Sequence, residues 1–292
     1  MRNRRIILWL IVAIYTCMLP YVVLVFEALQ RNFAKDLVGR IPLLIIFGFA
    51  AVYLVWGIKI KKTLQVLVMV GISAIIVAII IWVEHNPNKH IHIPEYVLMT
   101  WILFEVIIID YDGKGLGFLI LICASMLGVV DELLQGIHPL RFYGWTDMLI
   151  NFASSVIGIL TLITLRRLPE GDWSWTQNLK TFYKSWIILL VCAATTVWMC
   201  VVLFEVASVG FSQIQIPVWI NAGVLVFIMT AIITIGYHGY CLFQLDSINQ
   251  SQIKNCNSNQ RTVHLWVVYP LTVLVAINAL FMGVMTTNTA FR

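Results

Sequence analysis

The sequence predicts an all-α protein, a polytopic transmembrane helix bundle of about nine spans. Apolar residues make up 61% of the chain, charged residues make up 11%, and the mean hydropathy is +0.91. Soluble globular domains contain about 45–50% apolar and about 25% charged residues. Apolar stretches long enough to cross a bilayer, about 20 residues each, follow one another along the chain. No separate soluble domain is therefore expected.

Nine apolar segments have the composition of a membrane span. They are 6–29, 41–58, 64–83, 93–109, 116–138, 145–165, 186–208, 217–243 and 264–286. We interpret the first as an uncleaved helix rather than a signal peptide, because the apolar run is long and further spans follow it. Between the first two segments we predict a charged outer loop at 31–40, with Pro42 in the first turn of the second helix.

Charge and cysteine content exclude two classes of protein. The formal charge is +5, but with the N-terminus inside, the inner segments hold thirteen of the nineteen Lys and Arg residues. This asymmetry follows the positive-inside rule, so the charge indicates orientation and not a nucleic-acid partner. The six cysteines show no paired spacing, which argues against a disulfide framework and a thiolate metal site. We predict a multi-pass protein of the cell membrane with a cytoplasmic N-terminus.

Polar side chains are concentrated between Asp131 and Gly158, with apolar sequence on both sides. At about 100° per residue, they form two helical stripes: Asp131, Gln135 and His138 with Glu132 beside them, then Asp147, Asn151, Ser154 and Gly158. Gly136, Pro139 and Gly144 break the helix between the stripes, so we predict a hairpin with Arg141 in its connection. A carboxylate near a bilayer centre costs roughly 2.5–3.5 kcal/mol. The stripes therefore need a shared polar environment, as a binding surface or as a set of residues that only pin the hairpin.

Two motifs in this part of the chain resemble those of the VanZ-like membrane protein family. The segment Asn88-Lys89-x-x-His92-x-x-x-Tyr96 is similar to the first family motif, Asp-Lys-x-x-His-x-x-x-Tyr. A second set of residues resembles the second family motif: Glu132-x-x-Gln135, Arg141, Asp147-x-x-x-Asn151 and Gly158. The chain departs from the family pattern at three positions: Asn88 replaces an aspartate, Pro94 interrupts the first motif, and Ser154 stands where a glycine is usual.

The resemblance covers about residues 40–166. It divides the chain into an N-terminal transmembrane helix with an outer loop (1–40), a VanZ-like transmembrane domain (41–166) and a C-terminal three-helix transmembrane extension (167–292). VanZ-like proteins are associated with low-level resistance to teicoplanin-type lipoglycopeptides, which act on cell-wall precursors at the outer membrane face. The resemblance therefore implies a link to the cell envelope and to resistance against this class of antibiotic.

The candidate ligand-binding residues all fall in the outer half of the predicted membrane or just outside it. They are Lys89, His92, Tyr96, Asp131, Glu132, Gln135, Arg141, Asp147 and Asn151. Arginine grips phosphate or carboxylate with two parallel hydrogen bonds, and lysine adds a point charge. We expect the site to bind an anionic head group, such as a lipid-linked phosphate or the peptide carboxylate of a cell-wall precursor, beside membrane lipids. No cofactor is predicted.

Three alternatives stay open at this point. Imidazoles at His85, His90 and His92 with an acid suit zinc or manganese, although no HExxH-like spacing supports them and no metal is predicted. A lipid phosphatase or other hydrolase would use His92 or His138 as base or nucleophile, without a Gly-x-Ser-x-Gly elbow. A proton-coupled transporter would use Glu105 and the outer acids as a relay, without recognisable inverted repeats.

Overall fold

The computed structural model describes most of the chain. The described residues are 2–113, 115–137, 144–165, 183, 186–191, 194, 198, 218–252 and 262–285. All the regular secondary structure in these ranges is helical, which confirms the all-α class. The α-helices are α1 (Arg2–Asn32), α2 (Lys35–Lys59), α3 (Thr63–Val83), α4 (His92–Ile107), α5 (Leu116–Ile137), α6 (Trp145–Leu165), α7 (Val218–Gln252) and α8 (Tyr269–Met285). A 3-10 turn, Pro87–Ile91, precedes α4, and a π-helical turn, His264–Val268, precedes α8.

Seven helices in the described part of the chain are long and apolar enough to cross a membrane. The apolar stretches are Asn3–Phe26, Leu37–Lys59, Thr63–Val83, Leu116–Gly136, Thr146–Leu165, Ala222–Tyr240 and His264–Phe281. Large apolar side chains point outward from them, and Leu64 and Trp82 are each 77% exposed in the isolated chain. An apolar surface of this kind is compatible with a lipid environment and would be a liability in water.

The predicted total of nine spans stays a prediction. The predicted segment 93–109 corresponds to α4, which has 16 residues and at 1.5 Å per residue is only about 24 Å long. The predicted segment 186–208 lies mostly outside the described residues. These two segments account for the difference between nine and seven.

The predicted loop at 31–40 is wrong. Helix α1 continues to Asn32 and α2 begins at Lys35, so that Pro42 lies inside α2 and not in its first turn. An interior proline removes one backbone hydrogen bond. Transmembrane helices accommodate this loss because neighbouring groups satisfy the freed carbonyl. Pro20 lies inside α1 in the same way.

The chain divides into two compact units, one of residues 1–135 with 143–172 and one of residues 136–142 with 173–292. In the first unit α4 is the central helix: it packs most closely against α6 and also contacts α1 and α2. Its Tyr96, Met99 and Leu103 side chains are completely buried. Neighbouring helices cover most of α4, although Leu98 is 42% exposed, so this helix depends less than the others on matching the bilayer thickness.

A glycine brings α4 and α6 close together. A Cβ atom added to Gly158 would lie 2.6 Å from Cβ of Thr100 and 2.9 Å from its Cγ2 and Oγ1. Small residues at helix crossings allow this kind of approach in membrane proteins. Thr100 itself donates a hydrogen bond to the backbone carbonyl of Tyr96 at 2.7 Å. The crossing holds the first turns of α4 against α6, and this is where the candidate site lies.

In the second unit α8 packs against α7 and contacts the π-helical turn that precedes it. His238 of α7 and His264 of the turn are both buried.

Candidate functional site

The candidate site forms where three helix ends of the first unit meet. The 3-10 turn and the start of α4 supply Lys89, His92 and Tyr96, the end of α5 supplies Asp131, Glu132 and Gln135, and the start of α6 supplies Asp147 and Asn151. All of these side chains except that of Lys89 are buried. Thus the structure brings the two motifs together. Arg141 and His138 lie outside the described residues.

Lys89 connects the two motifs. Its Nζ lies 2.8 Å from Oδ1 of Asp147 and 3.1 Å from Oε2 of Glu84. Partial burial favours the neutral amine, but the hydrogen bond and the charge of Asp147, followed by those of Glu84, raise the pKa of Lys89 above its ordinary value. The pKa of Glu84 is lowered: burial opposes the charged form, but the Asn86 amide and the Lys89 ammonium outweigh that effect. The Lys89 side chain is 29% exposed, so the ion pairs lie at the surface of the site and are not fully enclosed.

His92 lies at the centre of the site and is fully buried. Its Nδ1 is 3.0 Å from Oε2 of Glu95, an ion-pair distance without the alignment of a hydrogen bond. One ring nitrogen of His92 and one carboxylate oxygen each from Glu132 and Asp147 all lie within 4.8 Å of one another. An imidazole and two carboxylates from three helices therefore face one small volume.

Hydrogen bonds fix the α5 side chains. Tyr96 Oη donates to Oδ2 of Asp131 at 3.0 Å. Glu132 accepts from Nε2 of Gln135 at 3.0 Å with one oxygen, and from the backbone N–H of Gly144 at 3.3 Å with the other. Both oxygens of Glu132 are thus oriented by groups that themselves do not carry charge.

Several polar atoms in the site are buried and have no hydrogen-bond partner among the described residues. They are Nε2 of His92, Oε1 of Glu95, Oδ1 of Asp131, and Oδ1 and Nδ2 of Asn151, whereas Nδ1 of His92 and Oε2 of Glu95 lie at ion-pair distance from each other. Asn151 is only 1% exposed and lies one helical turn after Asp147. Buried polar groups in native structures nearly always have a partner, from the protein or from a bound species. This concentration of unpaired atoms distinguishes the site from an ordinary structural cluster.

The sequence did not reveal two members of the site. Glu95 is 7% exposed, follows His92 by three residues and stands directly after Pro94. Tyr15 of α1 donates to the backbone carbonyl of Glu95 at 3.0 Å, which attaches α1 to the site. The spacing from His92 was the available signal for Glu95, whereas nothing in the sequence pointed to Tyr15.

The three histidines of the loop before α4 do not converge on one position. Nε2 of His90 lies 2.8 Å from the backbone carbonyl of Glu84, and His85 is exposed. Only His92 contributes to the cluster of possible metal ligands found among the described residues. The metal ligand set considered from the sequence, with His85 and His90, is therefore not assembled.

An apolar groove of about 750 Å³ lies beside the site, between α2, α3, α4 and α6. Its wall includes Ile93 and Pro94, the two residues that directly follow His92, and it extends past Trp101 to Thr161. Its lining is almost entirely apolar, which suits a hydrocarbon chain.

Comparison of the chain with protein-family models, with curated proteins and with solved structures finds no match. The resemblance to the VanZ-like family therefore rests on the two motifs and stays a prediction. The geometry of the site stands independently of that resemblance, because each contact is given by residues of this chain.

Proposed function

We propose that the protein is a VanZ-like membrane protein of nine spans, with a cytoplasmic N-terminus, that binds an anionic component of the cell envelope at the outer leaflet. One observation carries the proposal: Lys89 of the first motif lies 2.8 Å from Asp147 of the second. The cation of one motif and the polar face of the other thus form one site, and the Lys89 ion pairs lie at its surface.

The chemistry of this site suits a lipid-linked phosphate or the carboxylate of a peptide precursor. Lys89 supplies a point charge, and Arg141 in the same motif set supplies a planar fork that holds either group bidentately. The groove beside Ile93 and Pro94 can take a hydrocarbon chain while the head group stays at the polar site. An amphiphilic ligand, with a charged head and an apolar tail, fits both features.

A link to lipoglycopeptide resistance follows from this ligand class. Teicoplanin-type drugs act on cell-wall precursors at the outer face, and a protein that binds such a precursor there lowers the amount accessible to the drug. The effect expected is a modest decrease in susceptibility, together with decreased binding of drug to the cell surface.

The test compares two lysines at opposite ends of the first unit. Lys89→Gln removes the partly exposed cation of the site, while Lys62→Gln removes a lysine whose Nζ donates to the Thr164 carbonyl at 2.7 Å. Teicoplanin susceptibility and surface binding of a fluorescent teicoplanin are measured in a host without its own homologue, at equal expression. We expect Lys89→Gln to abolish the phenotype and Lys62→Gln to retain it. A full phenotype in Lys89→Gln, or none in the wild type, would contradict the proposal.

A membrane-embedded hydrolase that acts on a lipid-linked phosphate is the second candidate. The specific observation in its favour is the His92–Glu95 pair, in which a carboxylate 3.0 Å from Nδ1 can orient the imidazole as a general base. Release of inorganic phosphate from a purified lipid phosphate, lost in His92→Gln, would identify the enzyme. Ligand binding without turnover would leave the binding function.

A further inference from the structure

We propose that His92, Glu132 and Asp147 form a binding site for a divalent cation, with zinc and manganese the ions that their donor set favours. Imidazole suits zinc and carboxylates suit manganese, and no thiolate is among the three ligands. The cation site stands on the geometry of these side chains. Its role, to receive the anionic group of the ligand, rests on the proposed function.

The positions of the three donors fit a metal ion. They come from three different helices, are at most 3% exposed, and offer one donor atom each within 4.8 Å of one another. Donors around zinc lie about 2.0–2.2 Å from the ion, so a tetrahedral pair is separated by roughly 3.5 Å. Side-chain movements of roughly an ångström would therefore bring the three donor atoms to the separations that a bound ion requires.

The groups around the donors match the outer partners typical of metal sites. A metal-bound histidine usually presents its other nitrogen to a carboxylate, and bound carboxylates are themselves hydrogen-bonded. Nδ1 of His92 lies 3.0 Å from Oε2 of Glu95, and Nε2 has no hydrogen-bond partner in the described part of the chain. Glu132 is held by Gln135 and by the Gly144 amide. Glu95 is thus a positioning residue for the imidazole.

Unpaired buried atoms supply an independent indication of a ligand. Oδ1 of Asp131 and the amide of Asn151 are buried, and no described residue gives them a hydrogen-bond partner. Asn151 follows Asp147 by one turn of α6 and can offer its carbonyl oxygen or hold a water on the ion. A bound cation with its waters would satisfy these atoms, which a site held only by internal contacts leaves unpaired.

The charge balance also calls for a cation. Four buried carboxylates, those of Glu95, Asp131, Glu132 and Asp147, lie in a site where Lys89 is the described cationic group, because a metal-bound His92 is neutral. Buried charges in proteins are paired or bind metals, or else they become neutral. A divalent ion would balance two of the remaining three negative charges. The competing solution is a set of protons on the carboxylates, and the two differ in whether the protein binds metal.

Lys89 and the proposed ion would compete for the carboxylate of Asp147. Its ammonium already lies 2.8 Å from Oδ1 of Asp147, so binding of the ion to Asp147 opposes this charge. Replacing Lys89 with methionine should therefore increase the affinity for metal, whereas replacing a ligand decreases it. An unspecific effect of mutation on folding would not produce opposite signs.

The experiment uses the full chain, purified in detergent, stripped with a chelator and dialysed against zinc or manganese. Bound metal per chain is measured by mass spectrometry after removal of free ions, and affinity by titration against a fluorescent chelator. We expect one ion per chain in the wild type. The variants His92→Gln and Asp147→Asn should lose it, and Glu95→Gln should weaken binding by about 10–100-fold, as is typical of outer partners.

His90→Gln is the matched control, because His90 is a buried histidine of the same loop that contacts the Glu84 carbonyl and not the cluster. It should bind one ion per chain. If the ligand variants fail to fold, the wild-type chain still decides the question, since binding of an ion to the folded state raises the unfolding temperature. No bound ion and no rise in unfolding temperature with either metal would overturn the proposal, as would equal loss in His90→Gln.

This outcome is separable from that of the proposed function. Metal binding by the wild type without any teicoplanin phenotype would keep the cation site and remove the proposed anion-binding role. A phenotype that depends on Lys89 in a chain that binds neither metal would keep the proposed function and overturn the cation site.

Discussion

Lys89 shows how much a single residue contributes to the site. It joins the loop before α4 to the first turn of α6 through its ion pairs with Glu84 and Asp147. Its position is set locally, because the side chain of Asn86 caps the 3-10 turn by accepting a hydrogen bond from the amide of Asn88 at 3.1 Å. The same turn directs His92 into the bundle. A loop of a few residues thus organises both the partly exposed cation and the buried imidazole.

The ion pair of Glu84 and Lys89 predicts a pH dependence of stability. The folded-state pKa of Glu84 lies below its ordinary value of 4.5, so its contribution to stability is present above about pH 4.5 and is lost as the pH falls through the folded value. The pKa of Lys89 lies above 10.5, so its contribution is lost only at strongly alkaline pH. We expect the wild type to be more stable than Glu84→Gln near neutral pH, and this difference to vanish in acid.

The unfolding temperatures of both proteins in detergent, from about pH 7 to about pH 3, measure the effect. Because the two proteins differ at one carboxyl group, the titration of all other acids cancels in the comparison. A difference that stays constant over this range would show that Glu84 is not stabilised by its charge.

A second prediction at this scale concerns Arg141. If its guanidinium holds an anionic head group with two parallel bonds, Arg141→Lys should lose teicoplanin resistance although the charge is kept. If Arg141 only neutralises the acids of the hairpin, lysine should suffice and the phenotype should remain. The same susceptibility and drug-binding measurements separate the two outcomes. Arg40→Lys is the control, because it makes the same substitution at an arginine outside the candidate site and should leave the phenotype unchanged.

At the scale of elements, the contact between α4 and α6 decides whether the site exists. These two helices form the closest packing in the first unit, and Gly158 permits it because any side chain there would meet Thr100. The first turn of each helix contributes site residues, so a change in their separation moves His92 relative to Asp147.

Gly158→Ala should therefore separate α4 from α6. Its added methyl group would lie 2.6 Å from Cβ of Thr100, and overpacking of this kind costs about 1–3 kcal/mol. The second variant Thr100→Ala removes Cγ2 and Oγ1, which lie 2.9 Å from the added methyl group, but keeps Cβ, so it should restore only part of the stability. Gly71→Ala in α3 is the matched control, because a Cβ there meets nothing within 4 Å and alanine is favoured over glycine in a helix by about 1 kcal/mol.

Unfolding temperatures in detergent are measured for all these variants. We expect a decrease for Gly158→Ala and no decrease for Gly71→Ala. Equal behaviour of the two would mean that α4 and α6 are not in close contact at Gly158.

The positions of the helices were predictable from the sequence where an apolar run matches the thickness of a bilayer. Apolar runs of about 20 residues set the helices, but the end of α1 and the start of α2 depend on how a proline such as Pro42 is accommodated, which only the packed structure shows. The stripes on α5 and α6 followed from helical periodicity. The proximity of His92 to Glu132 did not, since it depends on how three helices pack, and Glu95 became a member of the site only through that packing.

At the scale of the whole molecule, the two ends of the first unit differ in charge. One end carries the acid-rich site, and the other carries Arg5, which is paired with Asp110 at 2.5 Å, and Lys62, which donates to Thr164. The basic end corresponds to the side that the distribution of Lys and Arg assigns to the cytoplasm. The orientation, and with it an outward-facing site, stays a prediction from this distribution of charge.

Reporter fusions test the orientation directly. A fusion after Lys62 should report the cytoplasm, because it follows the basic turn between α2 and α3, and a fusion after Lys89 should report the outside. Alkaline phosphatase and a cytoplasmic fluorescent protein give opposite signals at each position. An external signal after Lys62 would reverse the orientation, and the site would then face the cytoplasm.

The short, largely covered helix α4 also has a consequence for the synthesis of the protein. A helix of 16 residues that begins with His92 and Glu95 is a poor candidate for insertion into lipid on its own, because ionisable groups oppose partitioning from the translocon. Its main packing partner, α6, emerges from the ribosome only after α5 has been made. We therefore expect α4 to be held stably in the membrane only after α6 has been made and packs against it. The candidate site is then completed at the same step, because α6 supplies Asp147 and Asn151.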